Sequence, residues 1–198
     1  MFDISLAQQA GISFLIGSIP FAVVAMWGAG TSIRDVGSGN PGFNNVLRFD
    51  KRRALFALIG DLAKGFAPIW LFYEPLRDPI NTAWLLGMAA VFGHCYSPWL
   101  KLRGGKGIAT SAGAMLAMYP GVAAVALSFF VPVRVLGGRL KIPEIGAWAS
   151  LLTWAFFTVV IGFWAGMPHT KYAALMTVFL AWQHRSNIKR ILGRAPRA

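Results

Sequence analysis

Seven apolar runs, at residues 5–29, 54–73, 82–100, 108–118, 119–137, 145–166 and 169–183, occupy most of this 198-residue chain. A stretch of about 20 apolar residues, each rising roughly 1.5 Å, covers a hydrocarbon core. With 56% hydrophobic and only 13% charged residues, the chain carries more apolar surface than a soluble domain of its length can bury. Lipid cannot satisfy backbone polar groups, so the crossing segments must bond within themselves, as helices do. The expected fold is all-α: a polytopic integral membrane protein of about seven transmembrane helices, forming one membrane-embedded domain over residues 1–198. Tyr119-Pro120-Gly121 interrupts the run 108–137 and reads as a helical hairpin turn with proline opening the next helix.

The first run carries Asp3 but no Lys or Arg before it, so it lacks the charged start of a signal peptide and is expected to be retained. A single cysteine, Cys95, excludes an internal disulfide. The net charge of +12 raises the possibility of nucleic acid, but the placement of the charges argues for a membrane face. If the spans alternate from an external amino terminus to a cytoplasmic carboxyl terminus, only Arg77 and Lys171 fall outside, and the other loop and tail cations lie in the cytoplasm. That asymmetry is the positive-inside pattern. It also places two glycine-rich segments on one face.

The first of these segments is Gly37-Ser38-Gly39-Asn40-Pro41-Gly42-Phe43-Asn44-Asn45-Val46-Leu47-Arg48. Glycines let consecutive backbone N–H groups turn onto one oxyanion. The three Asn amides can donate to phosphate oxygens, and Arg48 can form a two-pronged pair that a lysine cannot reproduce. The same residues would also suit a polar turn between helices. The second segment, Arg103-Gly104-Gly105-Lys106-Gly107 followed by Thr110, offers further amides and a cation at a helix start. It is no P-loop, because Gly107 stands where Ser or Thr should follow Lys106 and position 100 is Leu. A basic loop resting on anionic headgroups has the same composition.

Asp61 and Lys64 lie three residues apart inside an apolar run and share a helix face. Such residues face a partner or a wet cavity, so the pair either serves a site or neutralises itself as a structural element. His94 precedes the second glycine segment. His184 and Asn187, three apart in the basic tail, would face the same way if the last helix continues.

What is missing narrows the chemistry. The chain has no His-x4-Asp pair, no Gly-x-Ser-x-Gly elbow and no cluster of metal ligands, and its seven acids are dispersed. No metal and no cofactor is expected. An enzyme built this way must receive an activated substrate, position it and stabilise developing negative charge.

These segments together resemble the bacterial acyl-phosphate-dependent glycerol-3-phosphate acyltransferases, the PlsY family. The resemblance rests on Gly17-Ser18-Ile19-Pro20; Gly37 to Gly42 with Asn45 and Arg48; Asp61 with Lys64-Gly65; Gly93-His94 with Gly104 to Gly107 and Thr110; and His184 with Asn187-Ile188 and Arg190. It implies transfer of a fatty acyl group from acyl phosphate to the 1-hydroxyl of sn-glycerol 3-phosphate in the bacterial inner membrane, with the site facing the cytoplasm. The partners implied are those two substrates and membrane lipid, with no nucleic acid and no obligatory protein partner.

By the same resemblance Ser38, Arg48, Lys106, His184 and Asn187 would be catalytic. Gly39, Asn40, Gly42, Asn44, Asn45, Gly104, Gly105, Gly107 and Thr110 would bind substrate phosphate, and Asp61, Lys64 and His94 would support the site. The chain departs from the family pattern at Phe43 and Asn44 in place of Ala and Thr. Pro98 is shifted by one, Gln183 replaces the Arg before the His, and the tail Gly193-Arg194-Ala195-Pro196 lacks the closing Glu. A transporter of an organic phosphate would also use buried Asp61 and Lys64 with glycine breaks, although no internal repeat accompanies them. A noncatalytic lipid-binding scaffold would leave the clustered Asn, Arg and Gly without a purpose.

Overall fold

The computed structural model describes residues 4–194; Asp3, Ala195, Pro196 and Arg197 lie outside the described residues. Among these residues every regular element is helical. The chain divides into two compact units, Met1–Met118 and Tyr119–Ala198, which are described separately. The first contains α1 (Leu6–Ser18), α2 (Phe21–Ala25), α3 (Phe43–Phe49), α4 (Lys51–Phe72), α5 (Ile80–Cys95) and α6 (Ile108–Met118). The second contains α7 (Pro120–Arg139), α8 (Ile145–Ala165), α9 (Met167–Gln183) and α10 (Arg185–Ile191).

Four helical stretches are long and apolar enough to cross a membrane: Leu6–Ala25, α4, α7 and α8. Their outward residues are apolar, as hydrocarbon demands, with Phe163 89% and Trp70 73% exposed. α5, α9 and α6 are shorter, at 16, 17 and 11 residues. The run expected at 82–100 ends at Cys95, because Tyr96-Ser97 leads to Pro98, which opens a separate 3-10 turn, Pro98–Leu100.

The first apolar run is two helices. Pro20 has no N–H to return to Ile16, so α1 closes with Ile19 N bonding Ile16 O at 3.3 Å. Carbonyls at the break find side-chain donors from distant segments: Ser97 Oγ donates to Ser18 O at 2.6 Å, and Lys64 Nζ donates to Ile19 O at 2.7 Å. The Trp99 indole N–H donates to the Ser18 hydroxyl at 3.0 Å. The Gly-Ser-Ile-Pro segment is thus a built kink that three residues from two later parts of the chain hold in place.

Two antiparallel crossings organise the first unit. Gly17 lies against Ala90 and Gly93 against Phe14 where α1 meets α5, while Gly65 lies against Thr110 and Gly113 against Leu62 where α4 meets α6. A Cβ on Gly65 would come 1.8 Å from the Thr110 carbonyl oxygen, and backbone cannot swing aside. Close backbone approach replaces the hydrophobic driving force that lipid does not supply. A small core of Ala22, Ala25, Ile33, Val46, Ala54 and Ala57 ties α2, the connecting segment and α3 to the start of α4. Asp50 caps α4 by accepting from Arg53 N at 2.8 Å. The Arg53 guanidinium donates to Ala25 O and Trp27 O at 2.6 and 2.8 Å, closing the end of α2.

In the second unit, Phe129 of α7 stacks on Phe156 of α8 with ring centroids 4.6 Å apart. The Thr158 and Thr177 hydroxyls join α8 to α9 at 2.9 Å. Pro120 opens α7 as its first helical residue.

Candidate active site

The segment expected as one loop from Gly37 to Arg48 is a six-residue loop followed by a helix. Residues 37–42 form the loop, and Asn44, Asn45 and Arg48 ride on α3. Gly37 and Gly39 take φ of +47° and +65°, which side chains with a Cβ resist. These glycines do not open a nest of backbone amides. Gly39 N donates to Val36 O at 2.9 Å and Gly42 N to Asn40 O at 3.0 Å. Ser38 N donates to Asn45 Oδ1 at 3.2 Å, and Asn40 N reaches Ser38 Oγ at 3.5 Å. The N–H groups of Gly39 and Gly42 close the loop's own turns.

Asn45 is also bonded within the loop. It is buried, and its Nδ2 donates to Ile33 O at 3.1 Å and Val36 O at 2.7 Å while its Oδ1 receives Ser38 N. Both amide hydrogens are committed. Asn45 is the internal brace of the loop, placed there because Val46 beside it anchors α3 in the core under the loop.

What remains on the outer face is a set of side chains. Ser38, Asn44 and Arg48 are exposed and Asn40 is half-buried. Asn44 and Arg48 are four apart on α3 and share its face. The Arg48 guanidinium lies over the loop, where a Cβ on Gly37 would come 2.5 Å from its Nη1. Gly37 is therefore required as much for the seat of Arg48 as for the turn.

The second glycine segment belongs to the same place. Gly104 N donates to Cys95 O at 2.9 Å and Gly105 N to His94 O at 3.1 Å, finishing the carboxyl end of α5. A Cβ on Gly105 would stand 2.1 Å from His94 Nε2 and 3.0 Å from Pro41 O, so the two segments are in contact. Arg34 fastens them: its Nη1 donates to Gly39 O at 3.2 Å and its Nη2 donates to Arg103 O. Sequence reasoning counted Arg34 only as one cation among many, because nothing local marks a residue whose partners are 5 and 69 positions away. Lys106, half-buried, and Gly107, with φ of +85°, follow directly and lead into α6.

Beneath both segments lies a buried polar group. Lys64 Nζ pairs with Asp61 Oδ1 at 2.8 Å, and His94 Nδ1 is 3.5 Å from the same oxygen. A cavity of about 10 Å³ touches Ser18, Lys64, His94, Pro41 and Gly105, room for roughly one water. Asp61 and Lys64 are buried, and they join the helix break at Ile19 to the underside of the loops. The two charges of this pair neutralise each other beneath the loops. Thr110 is fully buried at the α4/α6 crossing, and its hydroxyl has no hydrogen-bond partner among the described residues.

In the second unit His184 closes α9 and precedes α10, and it is buried together with Asn187. His184 Nδ1 lies 2.8 Å from Leu180 O. A carbonyl only accepts, so Nδ1 carries a proton in this bond. Asn187 Nδ2 donates to Glu144 Oε2 at 2.6 Å, and Arg190 Nε donates to Glu144 Oε1 at 2.6 Å.

Comparison with known proteins gives the family and the fold of the chain. Residues 9–194 match the family described as glycerol-3-phosphate acyltransferase. A glycerol-3-phosphate acyltransferase from Myxococcus xanthus is 35% identical over 188 residues, covering 94% of this chain and 95% of that one. Another, from Methylobacillus flagellatus, is 36% identical over 187 residues, covering 91% and 90%. Among solved structures, the glycerol 3-phosphate form of PlsY, an integral membrane glycerol 3-phosphate acyltransferase, superposes with a TM-score of 0.83 at 28% identity, over 98% of this chain and 96% of that one. The lysophosphatidic acid form of PlsY gives 0.80 at the same identity.

Proposed function

The chain belongs to the glycerol-3-phosphate acyltransferase family, and from that premise we propose that it acylates the 1-hydroxyl of sn-glycerol 3-phosphate with acyl phosphate as donor. The products are 1-acyl-sn-glycerol 3-phosphate and inorganic phosphate, the first step of bacterial phospholipid synthesis. The observation that carries this reading is the union of the two glycine-rich segments by Arg34, with Ser38, Asn40, Asn44 and Arg48 turned outward from a loop whose backbone is already satisfied. Two phosphorylated substrates call for such a cluster of side-chain donors on one face.

In the reaction the glycerol oxygen attacks the acyl carbonyl carbon, a new C–O ester bond forms, and the C–O bond to phosphate breaks. The phosphate departs with the bonding pair and finally holds the hydroxyl proton. The mixed anhydride is already activated, so no serine or cysteine nucleophile is required. Arg48 and Lys106 offset the charge gathering on phosphate oxygens, and Ser38 with the Asn40 and Asn44 amides fixes their direction. By the family resemblance His184 and Asn187 hydrogen-bond substrate oxygens.

The protein is a multi-pass integral membrane enzyme. We place its amino terminus outside, its carboxyl terminus and both glycine segments at the cytoplasmic face of the inner membrane, and residues 1–198 in one acyltransferase domain. The asymmetry of Lys and Arg supports this orientation. Seven passes follow if each apolar run crosses; the 11-residue α6 rises only about 16 Å, so a pass there requires local thinning of the bilayer.

Purified protein given palmitoyl phosphate and sn-glycerol 3-phosphate is expected to release one phosphate per 1-palmitoyl-glycerol 3-phosphate formed, and to make no product from palmitoyl-CoA. Equal use of the two donors would refute the acyl phosphate assignment.

A further inference from the structure

The two glycine-rich segments each close on themselves. The N–H groups of Ser38, Gly39, Asn40 and Gly42 all find acceptors within residues 36–45. In the second segment Arg103 N donates to Leu100 O at 3.0 Å, and Gly104 N and Gly105 N finish α5. Either segment could keep its own shape while shifting against the other. The side chain that bonds to both is Arg34, whose Nη1 donates to Gly39 O at 3.2 Å and whose Nη2 donates to Arg103 O.

Arg34 is itself held from behind. It occupies the 3-10 turn Ile33–Asp35, where its N–H donates to Ser32 Oγ at 3.2 Å. Ile33, 2% exposed, roots that turn in the core with Ala22, Val46 and Ala54. Asn45 Nδ2 holds the backbone on both sides of Arg34, donating to Ile33 O at 3.1 Å and to Val36 O at 2.7 Å. Gly39 lies against the same turn, since a Cβ there would come 2.9 Å from Arg34 O. The turn is a fixed base, and the guanidinium is an arm that reaches from it to the second segment.

The partners say what the arm does. Both are carbonyl oxygens, and among the described residues no carboxylate pairs with this guanidinium, although Asp35 is next in the chain. Two nitrogens in one rigid plane can hold two carbonyls at a set separation, which a single ammonium nitrogen on a flexible stem cannot do. Acyl transfer joins two bound molecules, and a misplacement of about 1 Å can cost on the order of a hundredfold in rate.

We propose that Arg34 is a positioning residue for acyl transfer: by bonding Gly39 O and Arg103 O with one planar group, it fixes the spacing of the two glycine-rich segments and so of the acyl phosphate and glycerol 3-phosphate bound there. Arg34 acts through the register of the segments and not on the substrates themselves, so loss of the bridge lowers the rate and leaves acceptor affinity nearly intact. This rests on the acyltransferase reading above.

The test is Arg34→Lys, assayed with palmitoyl phosphate and sn-glycerol 3-phosphate. The substitution keeps the charge and loses the two-carbonyl bridge. A fall in kcat of at least tenfold is expected, while the Kd for sn-glycerol 3-phosphate, measured by calorimetry, stays within threefold of the wild type and Tm is unmoved. Wild-type kcat in this variant overturns the proposal, because charge alone then suffices. So does a Kd that rises as far as kcat falls, because the loss then lies in one seat and not in the spacing. If Arg34→Lys does not fold, Arg34→Ala is purified with ethylguanidinium, a small cation able to enter this exposed position, and assayed before and after dialysis. Activity lost on dialysis and regained on adding the cation back supports the proposal, and equal activity in both states overturns it. Wild-type protein that binds glycerol 3-phosphate but transfers no acyl group would instead defeat the reading on which the proposal stands.

Discussion

Lys64→Met is expected to cost this protein its fold. The substitution leaves Asp61 buried with no cation beside it and takes the donor from Ile19 O at the α1–α2 break. Removing one partner of a buried pair costs roughly 3–5 kcal/mol, because the remaining charge stays desolvated. For a protein of this size each kcal/mol moves Tm by about 2–4 °C, so a fall on the order of ten degrees is expected in detergent, with most of the material aggregated. Asp61→Leu/Lys64→Met removes both charges together and should restore most of the lost stability, since the pair is internal and neutral overall. A single Lys64→Met variant with the wild-type Tm would mean that the ion pair bears little of the structure.

Arg48→Lys gives the other large effect, and on activity alone. Arg48 is exposed on α3 and lies across Gly37, so nothing in the fold depends on its guanidinium. In the proposed reaction its planar fork meets two phosphate oxygens at once, which an ammonium cannot copy. Losing one charge-assisted bond of roughly 1.5–3 kcal/mol predicts a fall in kcat/KM of about 10- to 150-fold, with Tm unmoved. Near-normal turnover in Arg48→Lys would show that the charge, without the fork, suffices.

Much of the fold was readable because a membrane helix writes its position into hydropathy. The runs 54–73, 145–166 and 169–183 became α4, α8 and α9 within a few residues, and Pro120 opened α7 as its missing N–H requires. The kink at Ile19-Pro20 was less visible, since the residues on both sides are apolar. What makes it a stable break is Ser97 and Lys64, far along the chain.

The site was legible in composition but not in bonding. Glycine, asparagine and arginine correctly marked the two segments that meet. Their pattern also suggested an amide cradle, yet Gly39, Gly42, Gly104 and Gly105 spend their N–H groups on local turns and on the end of α5. Asn45 braces the loop, because two carbonyls of the preceding segment are aimed at its amide, and no spacing in the sequence announces those partners. Arg34 and Glu144 were passed over for the same physical cause: each acts on partners that only the folded chain brings near.

The phosphate seat on the loop 37–42 and α3 can be measured without any chemistry. Calorimetric titration of the purified protein with sn-glycerol 3-phosphate, with glycerol as the control, is expected to show saturable binding that requires the phosphate and weakens at least tenfold in Ser38→Ala and in Arg48→Ala at unchanged Tm. Wild-type affinity for glycerol 3-phosphate in both variants would contradict the placement of the phosphate on this loop.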